Sequence, residues 1–221
     1  DRLALVLAPD RRTVRAARYL LTVDYEALPP VTGPDVGPEP AGTLHQDGQT
    51  SFPGQLDYGD IDAAWDQAAF TASDAIHTPR IHHAAMEPHA VLAIPRPEKI
   101  LEIHSPCQIM FGVQHAVAQV LPLPLSKIRV FKVRMGGTFG GKQEVVLEAL
   151  CAWAAWKLER PVQIALDREE TVVASRTRAA CDSRVETAID AEGRILGRRF
   201  DVTVDAGAYL PYLLELNAYE N

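Results

Sequence analysis

Residues 134 to 144 read Arg-Met-Gly-Gly-Thr-Phe-Gly-Gly-Lys-Gln-Glu. Four glycines within six positions, Gly136, Gly137, Gly140 and Gly141, exclude this stretch from the interior of a helix or strand, because each glycine loses more backbone freedom on ordering than any other residue. A glycine-rich stretch supplies positive φ and close approach of backbone to a ligand. Before it, Ile128–Val133 is a strand-length apolar run; after it, Glu144–Leu158 has helix length. The loop is thus expected at a strand-to-helix turn, where free N–H groups and a positive dipole end favour an anionic or oxo-bearing ligand.

The rest of the chain fits around such a turn. Its 221 residues are 47% apolar and 23% charged, which excludes collagen-like, coiled-coil and low-complexity classes. With 22 basic against 29 acidic residues the formal charge is −7, so nucleic acid is not the expected partner. No apolar run reaches the roughly 18 residues of a membrane helix. The richest, Val145–Leu158, is interrupted by Glu148 and carries Lys157, and reads as a core helix. Cys107, Cys151 and Cys181 are odd in number and form no CxxC pair, which predicts reduced, packed thiols with no zinc or iron–sulfur cluster in this chain. No signal peptide opens the sequence, and the expected compartment is the cytoplasm. Asp1 stands directly before the apolar run Leu3–Ala8, the pattern expected of a piece of a longer protein.

Three regions are expected. Residues 1–31 read strand (Leu3–Ala8), helix (Thr13–Leu20) and strand (Leu21–Leu28), an α/β layer too small to stand alone. Residues 32–59 form a connector within the Pro- and Gly-rich stretch from Pro29 to Gly54. Residues 60–221 open with a short acidic helix, Asp60–Ala69. Strands follow at Phe70–His77, His89–Ile94, Ile100–His104, Ile128–Val133 and Val162–Leu166, with helices near Ile109–Val120 and Glu144–Leu158. A hairpin, Cys181–Ile189 and Arg194–Val204, turns at Asp190–Gly193. The predicted class is α+β, or mixed α/β.

Two readings of the loop compete. Gly136-x-x-x-x-Gly141-Lys142 matches the spacing of a phosphate-binding P-loop, and Val162–Asp167 has the form of the strand that ends in a magnesium-holding acid. Against it, Gln143 stands where a Ser or Thr hydroxyl should hold Mg²⁺, and an amide is a poor ligand for that hard cation.

The second reading is a resemblance. Met135-Gly-Gly-Thr-Phe-Gly-Gly-Lys142, reached from a strand rich in basic residues, resembles the molybdenum hydroxylase family of xanthine dehydrogenase, aldehyde oxidase and the carbon monoxide dehydrogenase large subunit. His83-Ala-Ala-Met-Glu-Pro88 followed by Ala90-Val-Leu-Ala93 is similar to the opening of that family's molybdenum-cofactor domain. Ser105-Pro-Cys-Gln108 falls where those enzymes carry a short segment ending in Gln. Leu121-Pro-Leu-Pro124, Arg160-Pro-Val162 and Leu166-Asp-Arg-Glu-Glu170 agree in order and spacing. Residues 1–31 are similar to the end of the hammerhead-like α/β domain that precedes the cofactor domain.

The resemblance implies a molybdenum–molybdopterin cofactor, with the cytosine dinucleotide form as one candidate. It implies hydroxylation of an aromatic N-heterocycle, or oxidation of an aldehyde, with water as the oxygen source. Gln108 matches the glutamine whose amide sits beside the metal's apical oxo ligand, and Phe139 the residue whose backbone N–H reaches the metal's ligand shell. Gly136, Gly137, Gly140 and Gly141 would shape the cofactor loop. Gln143 replaces the substrate-contacting glutamate of purine oxidisers, which puts purine in question. No catalytic residue is expected in this segment; the general-base glutamate belongs after Asn221. Implied partners are the remainder of the molybdenum subunit, and domains or subunits carrying [2Fe–2S] clusters and FAD. The alternative of another class is a non-catalytic structural or assembly segment of such a complex.

Several residues have plainer readings. His82, His83 and His89 cluster near Glu87, but their spacing around Pro88 fits no zinc pattern, and they read as core or interface histidines. Glu87 reads as structural, tied to the backbone or to a lysine. Cys107 reads as packing, although it adjoins Gln108. Arg11, Arg12, Arg15 and Arg18 form a basic helix face, and Arg176 and Arg178 carry no assigned role.

Overall fold

The computed structural model describes residues 3–27, 55–205 and 207. The chain divides into two compact units, Asp1–Gln49 and Thr50–Asn221. Most of the Pro/Gly connector, from Pro29 to Gly54, lies outside the described residues.

In the first unit a single helix forms, α1 (Arg11–Arg18). Asp10 caps it, accepting from the Thr13 N–H and hydroxyl at 2.9 and 2.8 Å. All four arginines of its basic face are exposed. The expected strands Leu3–Ala8 and Leu21–Leu28 do not form: residues 3–8 and 21–27 carry no strand, and Leu28 lies outside the described residues. A strand is held by ladder bonds to a neighbour, and neither segment has one among the described residues.

The second unit holds two open sheets beside helices, a mixed α+β architecture. After the short helix α2 (Ile61–Asp66), capped by Asp60, come β1 (Phe70–Thr78), β2 (Ala90–Arg96), β3 (Ile100–Ser105), α3 (Met110–Val120) and β4 (Ile128–Lys132). Then follow α4 (Glu148–Leu158), β5 (Val162–Ala165), α5 (Arg168–Ala174), β6 (Ala180–Ile189) and β7 (Ile195–Asp205). One sheet is antiparallel, in the order β1-β6-β7, with α2 on its β7 side; Gly197 leaves room there for Ile61, Ala64 and Trp65. The other has the order β4-β3-β2-β5. Alternate residues of β3, Leu101, Ile103 and Ser105, face inward with Val91 and Ala93 of β2. Cys151, Ala152 and Ala155 of α4 and Val113 and Val117 of α3 complete this core. Each large apolar side chain so buried contributes about 1.5–3 kcal/mol.

This sheet positions the site. β3 and β4 are parallel neighbours, while β2 is antiparallel to β3 and β5. The ends of β3, β4 and β5 and the start of β2 therefore share one edge, the edge at which open α/β sheets bind ligands. There lie Pro106–Gln108, the glycine loop, Glu87–His89 and Leu166–Arg168.

Two boundaries differ from expectation. Helix α4 starts at Glu148, not Glu144: a turn closes from Gln143 N to Gly140 O, and Val146 and Leu147 are buried ahead of the helix. The glycine loop is thus separated from the helix start, and its N–H groups are not the first turn of α4. Helix α5 lies outside the expected pattern, although Asp167 and Glu170 spell its capping box, with both reciprocal bonds at 2.9 Å. Among the described residues no helix is long and apolar enough to cross a membrane.

Candidate cofactor site

The loop after β4 folds as an arch. Gly137 (φ +103°), Phe139 (φ +51°) and Gly140 (φ +90°) take left-handed backbone, and a turn closes from Gly141 N to Thr138 O at 2.8 Å. At Phe139 that conformation is uncommon for a bulky residue, and its side chain is 73% exposed, so packing inside the protein does not explain it. Gly136 and Gly141 are required for space. A Cβ at Gly136 would lie 2.8 Å from the Cβ of Glu87, and one at Gly141 would lie 2.9 Å from the ring of His83.

One oxygen ties both feet of the arch. Glu87 Oε2 accepts from the Gly136 N–H at 2.9 Å and from Lys142 Nζ at 2.6 Å, and Glu87 N returns a bond to Gly136 O at 3.1 Å. The Lys142 side chain is only 3% exposed and that of Glu87 34%. Burial works against ionisation of Glu87, but the Lys142 ammonium and the Gly136 N–H outweigh it and hold the carboxyl below its usual range. His89 Nε2 donates to Gly141 O at 3.0 Å. Burial holds both His83 and His89 below the ordinary imidazole value, hence neutral.

Gln108 is stitched to the same arch. Its N–H donates to Lys142 O at 2.8 Å, and its side-chain Oε1 accepts from Lys142 N at 3.3 Å. Because the oxygen is engaged, the Nε2 amide donors are left with no acceptor among the described residues. The backbone N–H groups of residues 137–140 likewise have none. The segment before Gln108 is anchored from beneath: Ser105 O accepts from Val133 N at 3.2 Å, and Ser105 Oγ donates to buried Glu148 at 2.7 Å. Glu148 also accepts from Leu147 N at 3.0 Å. Cys107 is buried, and burial pushes its thiol up, so it packs rather than reacts.

The structure therefore brings Gln108, the four glycines, Phe139 and Gln143 to one end of one sheet. Gln143 folds back so that its Oε1 lies 3.8 Å from the position of a Cβ on Gly140. His83, His89 and Glu148 support the site without having been singled out for it. The signal for Glu148 is its acid within an otherwise apolar run, a charge that needs a buried polar partner.

The geometry rejects the P-loop. The lysine that should reach the phosphates is buried against Glu87, and Asp167, the expected magnesium acid, caps α5. The zinc reading of the histidines finds no support either: among the described residues no three His, Cys, Asp or Glu side chains converge as metal ligands. What the sheet end brings together is a set of neutral donors with no acceptor among the described residues, Gln108 Nε2 and the N–H groups of residues 137–140, which suits an oxo-bearing, anionic cofactor.

Residues 44–218 match the family model described as molybdopterin cofactor-binding domain. The chain belongs to the molybdopterin cofactor-binding domain family. It is 33% identical over 214 residues to the xanthine dehydrogenase molybdenum-binding subunit of Escherichia coli O157:H7, covering 96% of this chain and 28% of that protein. It is 30% identical over 213 residues to the nicotinate dehydrogenase large molybdopterin subunit of Eubacterium barkeri, covering 96% of this chain and 50% of that one. The aldehyde oxidoreductase of Desulfovibrio desulfuricans shares the fold, with a TM-score of 0.77 at 23% identity over 88% of this chain and 22% of its own. The chain thus spans 28% and 50% of the length of these two curated relatives.

Proposed function

We propose that this molybdopterin cofactor-binding domain supplies one wall of the metal site in a molybdenum hydroxylase. The observation that carries the reading is the set of donors at the sheet end that have no acceptor among the described residues: Gln108 Nε2 and the N–H groups of residues 137–140. When bound, the molybdenum cofactor supplies the redox chemistry that moves oxygen from water to an aldehyde or to an electron-poor ring carbon.

In this reading Gln108 donates from Nε2 to an oxo ligand, its orientation set by the bond from Lys142 N to Oε1. A neutral amide stabilises oxygen charge without offering a proton to lose. Phe139 contributes its N–H to the metal's ligand shell, and Gly136, Gly137, Gly140 and Gly141 let the backbone pass close to the cofactor. Gln143 meets the substrate with its amide donors and its carbonyl acceptor, which favours an aldehyde or another N-heteroaromatic over a purine that needs a carboxylate partner.

The name of the relative that acts on nicotinate supports a heterocycle other than a purine. Residues 1–31 are read as the end of a hammerhead-like domain, 32–59 as a connector and 60–221 as the first part of the cofactor domain. Relatives named as subunits support partners that carry the remaining molybdenum-site residues, the iron–sulfur clusters and the flavin. The cytosine dinucleotide form of the cofactor is part of the same proposal, as is a reducing compartment such as the cytoplasm, which suits three free cysteines.

The test is Gln108→Ala in the complete enzyme. Among the described residues its side chain makes only one bond, at 3.3 Å, so folding should survive while molybdenum content or turnover falls about 10–100-fold. Unchanged content and turnover would remove Gln108 from the site.

A further inference from the structure

Arg168 touches none of the residues assigned to the cofactor, yet the arm that carries them hangs on it. Its Nη2 donates to Ala85 O at 2.6 Å and to Met86 O at 2.9 Å, the two carbonyls just before Glu87. Arg168 has no ion pair among the described residues, so its charge is directed at those carbonyls. The other end of the arm is held as firmly. Ser175 Oγ donates to Thr171 O at 2.6 Å, which leaves its lone pairs to accept from His82 Nε2 at 3.0 Å. His82 Nδ1 then accepts from Ala84 N at 3.0 Å, and one neutral tautomer satisfies both bonds. Ala84 is held at φ +49°, a conformation that needs such support. Residues 82–86 are therefore fastened to both ends of α5, and the next residue, Glu87, grips Gly136 and Lys142 with one oxygen.

We propose that Arg168 is a positioning residue for the cofactor loop: by fixing the Ala85 and Met86 carbonyls it sets Glu87, whose Oε2 holds the two feet of the arch and so the run of unpaired N–H groups between them. The inference rests on the proposed cofactor role of that loop for its consequence, but its mechanical part is independent of it. Arg168 sits in the D-x-x-E turn that caps α5, so α5 acts as the fixed post from which the loop is set.

The experiment compares Arg168→Gln, Glu87→Gln, the double variant and Arg168→Lys in the complete enzyme. Amide hydrogen exchange of residues 136–142, molybdenum content and Tm are read for each. Arg168→Gln should speed exchange in the loop and lower molybdenum content several-fold, up to about 10-fold. The double variant should be no worse than Glu87→Gln, because both substitutions act through one contact. Arg168→Lys, which keeps a charged donor, should restore both readouts toward the parent and supplies the comparison if Arg168→Gln lowers Tm. Loop exchange unchanged in Arg168→Gln, or effects that simply add in the double variant, would overturn the proposal. Faster, non-additive loop exchange with unchanged molybdenum content would support the positioning role and overturn the cofactor assignment instead.

Discussion

The Glu87–Lys142 pair makes a quantitative prediction because its two halves are buried so unequally. Glu87→Gln leaves the ammonium of Lys142, 3% exposed, without an anion. Breaking a buried pair from one side costs about 3–5 kcal/mol. Glutamine keeps an acceptor oxygen, and the Glu87 side is one-third open to water, so the expected loss is about 2–3 kcal/mol. Lys142→Met is milder. It fills a similar volume, and the carboxylate left behind still accepts from the Gly136 N–H and can reach solvent. That variant should lose about 1 kcal/mol. The double variant removes the stranded charge and should be no less stable than Glu87→Gln, giving a coupling of about 1 kcal/mol or more. Urea unfolding of the full chain, followed by circular dichroism, measures all three. Lys142→Met costing as much as Glu87→Gln, or effects that add without coupling, would refute the buried-clamp reasoning.

Two further predictions concern the same arch. Gly141→Ala places a methyl 2.9 Å from the His83 ring, and this overpacking should cost about 1–3 kcal/mol, read as a fall in Tm of about 2–4 °C per kcal/mol; an unchanged Tm would mean that the ring is free to move. Acid should destabilise the unit in two stages. His83 and His89 are neutral in the fold, with values lowered from 6.5 chiefly by burial, so their contribution is present above pH 6.5 and lost as pH falls below it. Glu87, lowered from 4.5 once the Lys142 and Gly136 bonds outweigh burial, contributes above pH 4.5 and fades below it. Glu87→Gln should flatten only the lower limb and His89→Gln part of the upper one; stability-against-pH curves that do not separate in this way would contradict the assignment.

Much of the second unit was legible from local chemistry. The strands around Leu101, Ile103 and Ile128 announce themselves as short apolar runs between turn residues, and Asp190–Gly193 marks its hairpin. Glu87 was expected to meet a lysine or the backbone, and it meets both. What local pattern does not carry is who pairs with whom. The runs Leu3–Ala8 and Leu21–Leu28 have strand composition, yet a strand exists only beside another, and no neighbour appears among the described residues. The apolar stretch from Val145 reads as one helix, but Val146 and Leu147 are buried in a bend ahead of it, and Glu148 starts the helix where its carboxylate meets Ser105 and Leu147 N. Most of the loop's supports lie far off in sequence: Glu87 is 49 residues from Gly136, and Arg168 is 83 from Ala85. Only the antiparallel placement of β2 between β3 and β5 brings them to one edge.

The central claim, that the unpaired donors of Gln108 and residues 137–140 face a molybdenum cofactor, is tested most directly by the structure of the complete enzyme with its cofactor bound. A molybdenum centre is expected beside the arch, with a ligand oxygen within about 2.7–3.2 Å of Gln108 Nε2. A metal site elsewhere, with Gln108 Nε2 bonded only to water, would contradict it.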